Sequence, residues 1–187
     1  MQDGANYYRQ YARRPEGLEL SNNYNLCTIH RAENTDDPSR LRGILSALDE
    51  IARTSQTVIP VHPRTRKILE ADSFDISRLT LIEPVGYLEM VWLIDHCQMV
   101  LTDSGGLQKE AFFFAKPCIT LRDQTEWIEL VDHGFNKITG TEKSTILDVY
   151  QNSEFNRDFD IDLYGRGRAS EVIVNTLLRT PGIGDGK

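Results

Sequence analysis

The residues best suited to chemistry gather just after short apolar runs. His30, Arg31, Glu33 and Asn34 form one such group, His62 and Arg64 a second, Tyr87 a third, Asp103, Ser104, Gly105 and Gly106 a fourth, and Arg122 with Glu126 a fifth. A histidine titrates near neutrality, so His30 can serve as acid or base, or donate to a phosphate oxygen when a carboxylate such as Glu33 is near. A purely structural histidine, hydrogen-bonded at a strand end, is the alternative on the residue alone. Arg31, Arg64 and Arg122 offer planar, bidentate recognition of a phosphate or carboxylate. Ser104 can cap a helix while Gly105 and Gly106 let backbone N–H groups approach an anion at the positive end of the helix dipole, and a diphosphate suits that place. Ser-Gly-Gly alone would serve equally well as a tight strand-to-helix turn. Glu110, four residues after Gly106, stands on the helix face rising from that turn, where its carboxylate can accept from both hydroxyls of a ribose. His30, His62 and Asp103 lack the spacing that would single out a metal site, so no metal is expected.

These groups need elements that bring them to one rim. Apolar runs at residues 24–29, 57–61, 79–82, 99–102 and 118–121 read as strands, with a last short one at 137–139, and helical patterns alternate with them. That alternation predicts an α/β domain, a Rossmann-like parallel sheet with helices on both faces. In such a sheet the strand-to-helix turns deliver their side chains to a crevice outside the carboxyl ends of the strands. Asp37 and Pro38 supply an N-cap and a first helical residue. Leu41, Ile44, Leu45, Leu48 and Ile51 then trace one apolar face of the helix they open. Further helices are predicted over 88–96, 107–115 and 168–178, with a short one around Trp127 that stops at Gly134, a residue suited to a left-handed C-cap. Residues 152–167 read as loop. His96 and His133 fall in or at the ends of helices and read as structural, and Phe112, Phe113 and Phe114 as core or domain-contact residues.

The chain of 187 residues carries a net charge of −7, which argues against a surface built to neutralise many nucleic-acid phosphates. No apolar run is long enough to cross a bilayer and the first residues lack the apolar stretch of a signal peptide, so a cytoplasmic protein that binds neither membrane nor nucleic acid is expected. Cys27, Cys97 and Cys118 are odd in number and sit in apolar surroundings. Buried reduced thiols are expected there, without disulfide or zinc.

Taken together, the motifs resemble those of the non-hydrolysing UDP-N-acetylglucosamine 2-epimerases. Thr28-Ile29-His30-Arg31-Ala32-Glu33-Asn34 is similar to that family's TxHRxEN segment. His62-Pro63-Arg64-Thr65, Pro84-Val85-Gly86-Tyr87, the segment from Asp103 to Glu110 and the segment from Arg122 to Glu129 follow in the family's order, covering roughly residues 24–140. The resemblance implies the C-terminal half of a glycosyltransferase-B-like two-domain fold. Residues 1–20 would be a linker or the end of a preceding domain, 21–165 the nucleotide-binding domain, and 166–187 a helix and tail crossing back to that preceding domain. Val172, Ile173, Leu177 and Leu178 would then lack cover, and self-association or a mobile tail is expected.

By motif position, the resemblance implies that Ser104, Gly105 and Gly106 hold the diphosphate of UDP, Glu110 the ribose, and the turn ending at Tyr87 the uracil. Arg122 would lie near the phosphates and His30 would be the catalytic-site histidine. Arg31 and His62 match a second, allosteric UDP-N-acetylglucosamine site of bacterial members. The implied reaction eliminates UDP across C1 and C2 and adds it back after the proton returns on the opposite face, with no cofactor. The remaining catalytic carboxylates would belong to the other domain, so this portion is expected to bind without turnover, and the whole protein to be a homodimer. Three alternatives stay open within the same motifs: an epimerase of UDP-2,3-diacetamido-2,3-dideoxyglucuronic acid, a hydrolysing epimerase, and the donor domain of a glycosyltransferase. A non-enzymatic nucleotide-sugar binding domain is a further one.

Overall fold

A computed structural model of the chain describes residues 1–61, 65, 66, 68, 69, 74 and 76–179. Its centre is a six-stranded parallel sheet in the order β3-β2-β1-β4-β5-β6, formed by β1 (Tyr24–Thr28), β2 (Gln56–Pro60), β3 (Thr80–Ile82), β4 (Met99–Thr102), β5 (Cys118–Thr120) and β6 (Asn136–Ile138). The strands run outward in both directions from the β1/β4 pair. That reversal of order is the topological switch point at which α/β sheets open a ligand crevice.

Side chains alternate across the pleat, and the strands bury both sides. Leu26, Val58, Val100 and Cys118 pack on one face with Ala5 from α1 (Gln2–Arg9), with Val91 and Ile94, and with Leu107 and Ala111. Cys27, Ile59, Leu101 and Ile119 pack on the other with Leu41, Ile44, Leu45 and Leu48 and with Ile146. Helices therefore cover both faces, as the sequence pattern requires. Each buried leucine or isoleucine here is worth about 2–5 kcal/mol against truncation to alanine.

After α2 (Ala32–Thr35), a single turn that a polar run does not announce, Asp37 caps α3 (Pro38–Ile51), accepting from the Ser39 and Arg40 amides at 2.9 and 3.2 Å. Gly43 lets α3 pass close to the loop after β6, where a Cβ would stand 2.3 Å from the Thr141 carbonyl oxygen. Then come α4 (Tyr87–His96), α5 (Gly105–Phe113), α6 (Ile128–Asp132), α7 (Lys143–Asn152) and α8 (Ala169–Arg179). Gly134 takes a φ of +75°, the left-handed stop expected of it after α6. α5 starts two residues earlier than the periodicity predicts, because Gly105 and Gly106 form its first turn.

The three cysteines are buried free thiols. Phe112 and Phe114 are buried, the former with Leu130 and Phe135. His96 and His133 each donate from Nδ1 to a carbonyl one turn back, Trp92 at 2.8 Å and Glu129 at 2.7 Å, consistent with structural roles. Among the described residues no helix is long and apolar enough to cross a membrane. Val172, Ile173, Leu177 and Leu178 are exposed on α8. That helix is capped from a distance: the Asp3 carboxylate accepts from the Ala169 and Ser170 amides and the Ser170 hydroxyl.

Candidate functional site

A cleft of about 460 Å³ opens at the carboxyl ends of β1 to β4. Thr28, Ile29 and His30 enter it from β1, Pro60 from β2, Pro84 and Val85 from beyond β3, and Ser104, Gly106, Leu107 and Glu110 from the β4-α5 unit. Met1 and Met90 complete its lining. The size suits a nucleotide-scale ligand.

The floor is set by the paired ends of β1 and β4. Thr28 and Thr102 are register partners whose hydroxyls meet at 2.6 Å, and the Thr102 hydroxyl also accepts from the Ser104 amide at 2.9 Å. Ser104 Oγ then accepts from the Leu107 amide at 3.4 Å, capping α5 as predicted. The first N–H groups of a helix have no partner within it, and here they belong to Gly105 and Gly106. A Cβ on Gly106 would meet nothing closer than 3.9 Å, so this backbone faces open space into which an anion can approach. Gly105 is held from behind, its carbonyl accepting from the Trp127 indole at 2.7 Å.

One turn along α5, Glu110 reaches the same cleft, and Oε1 accepts from the Tyr87 hydroxyl at 3.2 Å. Burial pushes the Glu110 carboxyl above its ordinary range, partly opposed by that hydrogen bond. Burial first, and then the neighbouring Glu110 charge, pushes the Tyr87 phenol up to about 12. Tyr87 is also braced by the edge of Tyr8, with ring centroids 5.5 Å apart.

The HRAEN segment is organised by a residue the sequence placed in the turn without a role. Asp103 is fully buried at the end of β4, and its carboxylate accepts from the His30 amide at 3.1 Å, the Arg31 amide at 3.0 Å and Asn34 Nδ2 at 3.2 Å. His30 Nδ1 lies 3.4 Å from the same carboxylate. The carboxylate paired with His30 is thus Asp103 and not Glu33, which turns the other way and stands 3.3 Å from Arg122 Nε. The signal was present in the sequence, an acidic residue ending a buried strand. Its partner was not, because the β1/β4 adjacency that joins them is a property of strand order.

Arg122 is buried against carboxylates of its own chain. Its Nη1 donates to Glu126 Oε2 at 2.8 Å, while the Glu33 contact lacks hydrogen-bond alignment and leaves Nε unsatisfied. Arg31 Nη2 meets the other oxygen of Glu126 at 3.3 Å, so one carboxylate bridges two arginines. The Glu126 amide and then these arginines hold that carboxyl below the usual carboxylate range. Glu126 also borders the Ser104-Gly105-Gly106 turn, 3.3 Å from where a Gly105 Cβ would be. The structure therefore gathers His30, Arg31, Tyr87, Ser104, Gly105, Gly106, Glu110 and Arg122 on one rim, with Arg122 the most enclosed of them. His62 and Arg64 lie outside the described residues. Among the described residues no cluster of three or more His, Cys, Asp or Glu side chains is arranged to hold a metal ion.

A family model described as UDP-N-acetylglucosamine 2-epimerase matches residues 1–178 of the chain. The chain belongs to the UDP-N-acetylglucosamine 2-epimerase family. Among curated relatives, the UDP-2,3-diacetamido-2,3-dideoxy-D-glucuronate 2-epimerase of Pseudomonas aeruginosa is 48% identical over 96% of this chain and 51% of its own length. A UDP-N-acetylglucosamine 2-epimerase homolog of Methanococcus maripaludis is 45% identical over 82% of this chain and 44% of its own. Solved epimerase structures are similar to this chain as well. The Methanocaldococcus jannaschii UDP-GlcNAc 2-epimerase in complex with UDP-GlcNAc and UDP superposes with a TM-score of 0.75 at 32% identity, over 94% of this chain and 52% of that one. The Neisseria meningitidis UDP-GlcNAc 2-epimerase bound to UDP-GlcNAc gives 0.72 at 34% identity, over 84% and 45%. The chain spans about half the length of these relatives.

Proposed function

We propose that this chain is the UDP-binding, C-terminal portion of an epimerase that interconverts UDP-N-acetylglucosamine and UDP-N-acetylmannosamine. One observation carries the reading: Ser104 and Gly106 of the strand-to-helix turn, Glu110 and His30 line a single cleft at the β1/β4 switch point. In it the Gly105 and Gly106 amides take the diphosphate at the positive end of α5, a preorganised array of donors that needs no rearrangement to meet charge. Glu110 takes the ribose hydroxyls by exchanging its Tyr87 partner for them, and the turn ending at Tyr87 takes the uracil. His30 faces the sugar-phosphate bond. Arg122 and Arg31 bias the rim toward anions, with Arg31 and His62 assigned to a second UDP-sugar site.

The reaction assigned to the whole protein is elimination of UDP across C1 and C2 followed by its re-addition, without cofactor. Further catalytic carboxylates would come from a domain outside this chain. Residues 1–20 serve as the connection to it, 21–165 as the nucleotide domain, and 166–187 as the return. A cytoplasmic homodimer is the proposed state of the whole protein.

Titration of the chain with UDP by calorimetry tests the binding claim, with UMP and ADP as comparisons. Saturable UDP binding that weakens when either the β-phosphate or the uracil is lost supports it. Equal binding of all three, or none, contradicts it.

The 48% identity to the diacetamido-glucuronate epimerase favours a second reading of the substrate. Arg31 on the rim would equally receive a sugar carboxylate by exchanging Glu126 for it. Offering the whole protein each UDP-sugar separately, and following epimerisation by NMR, decides between them.

A further inference from the structure

The buried carboxylate behind His30 has a consequence for which atom of that histidine works. Asp103 is fully buried, and its described contacts are all donors: the His30 and Arg31 amides and the Asn34 amide nitrogen, at 3.0–3.2 Å. Asn34 is itself oriented, since Nδ2 also donates to the Leu121 carbonyl at 3.0 Å and Oδ1 accepts from Arg40 Nε at 3.1 Å. A carboxylate so surrounded acts as an acceptor only. His30 Nδ1 lies 3.4 Å from Asp103 Oδ1, within ion-pair reach though not aligned as a hydrogen bond, while the ring, about half exposed, lines the cleft beside Ser104 and Gly106.

We propose that Asp103 is the positioning residue for His30, keeping the proton on Nδ1 and presenting Nε2 as the atom that meets the ligand and exchanges a proton there. The lone pair of a neutral imidazole cannot face a carboxylate that only accepts, so a carboxylate at Nδ1 favours that nitrogen as the N–H in the neutral ring as well as in the charged one. When Nε2 takes a proton from a group in the cleft, the ring becomes imidazolium with both protons held, and the charge it gains stands against Asp103. Returning the proton from Nε2 restores the starting tautomer. Asp103 follows β4 directly and precedes Ser104, so the proton-carrying ring and the phosphate turn share one rigid support. This inference rests on the proposed site for its ligand, but the tautomer it assigns exists without one.

The test is long-range proton–nitrogen NMR of the chain labelled with ¹⁵N-histidine, recorded above the titration range of histidine and assigned with His30→Gln. His96 and His133, whose Nδ1 atoms donate to backbone carbonyls, provide internal references for the Nδ1–H form. The expected result is His30 predominantly in the Nδ1–H form in the wild type. In Asp103→Asn it should switch to Nε2–H, because the new amide N–H donates to Nδ1. A wild-type His30 in the Nε2–H form overturns the proposal, as does a folded Asp103→Asn protein that retains Nδ1–H. Should that variant fail to fold, the wild-type spectrum decides alone. Absence of UDP binding would overturn the reading of the cleft and leave the tautomer result intact, so the two failures are distinguishable.

Discussion

The sheet has a polar network at each end, and they are built from different chemistry. At the amino end, Asn25 is fully buried, accepting from Gln98 Nε2 at 3.0 Å and donating to the Tyr150 hydroxyl at 3.1 Å, while Gln98 also donates to Ser55 Oγ at 2.7 Å. These are neutral amides and hydroxyls that satisfy one another. At the carboxyl end of the same two central strands stand Asp103, His30, Arg31, Arg122, Glu33 and Glu126, and beside them the first-turn amides of α5 face a cleft. Buried polarity alone is therefore no mark of a site. What separates the two ends is charge together with groups that have space to take a partner from outside.

Substitutions at each end should separate stability from ligand binding. The largest effect is expected where both ends share a support. Gly43→Ala drives a methyl group into the Thr141 carbonyl, backbone that cannot turn aside, and should cost about 3 kcal/mol or more. Urea unfolding of the two proteins would show the lowered midpoint.

Glu110→Ala and Asn25→Ala form a reciprocal pair. Loss of a charged acceptor at the proposed ribose position should weaken UDP binding by about tenfold to a hundredfold, since hydrogen bonds to charged groups are worth about 1.5–3 kcal/mol. Stability should change little, because burial already disfavours that carboxylate. Asn25→Ala removes the fully buried amide that joins Gln98 to Tyr150, leaving Gln98 its bonds to Ser55 and the Tyr150 hydroxyl, and should cost about 1–3 kcal/mol of stability with UDP affinity unchanged. Calorimetry and urea unfolding on both variants check the crossing. If Asn25→Ala weakened UDP as much as Glu110→Ala, the distinction between the two ends would fail.

The smallest effect concerns neither end. Asp3 caps α8, and its hydrogen bonds to the Ser170 amide and hydroxyl lower its pKa from 3.8 to about 2. A depressed carboxyl contributes stability that is complete above its unfolded value and is lost as pH falls through the folded one. The cap should therefore hold above about pH 4 and fade toward pH 2. Amide exchange at Ala169 and Ser170 should quicken over that interval in the wild type, and Asp3→Asn should flatten the response.

Much of this architecture was legible in the residues. The alternation of β-branched runs with amphipathic stripes gave the parallel α/β class, and Asp37-Pro38 and Gly134 marked a helix start and a helix stop because their backbone preferences are local. Ser104-Gly105-Gly106 and Glu110 also came as a unit, one turn apart on a single helix. Pairings between distant segments were hidden. Nothing near Asp103 says that β4 lies beside β1, and so the carboxylate at His30 was sought in Glu33, its neighbour in sequence. The same holds for Glu126 bridging Arg31 and Arg122, and for Asp3 capping a helix 166 residues later. The single turn of α2 was hidden for another reason, since four residues are too few to show a helical period.

The most direct test of the central claim is to map UDP onto the chain by amide NMR. The largest shifts on saturation should fall at Gly105, Gly106, Leu107 and Glu110, with smaller ones at His30 and Tyr87 and none around Asn25, Gln98 and Tyr150. Shifts centred on the amino end of the sheet, or an unchanged α5 amino terminus in a protein that binds UDP, would contradict it.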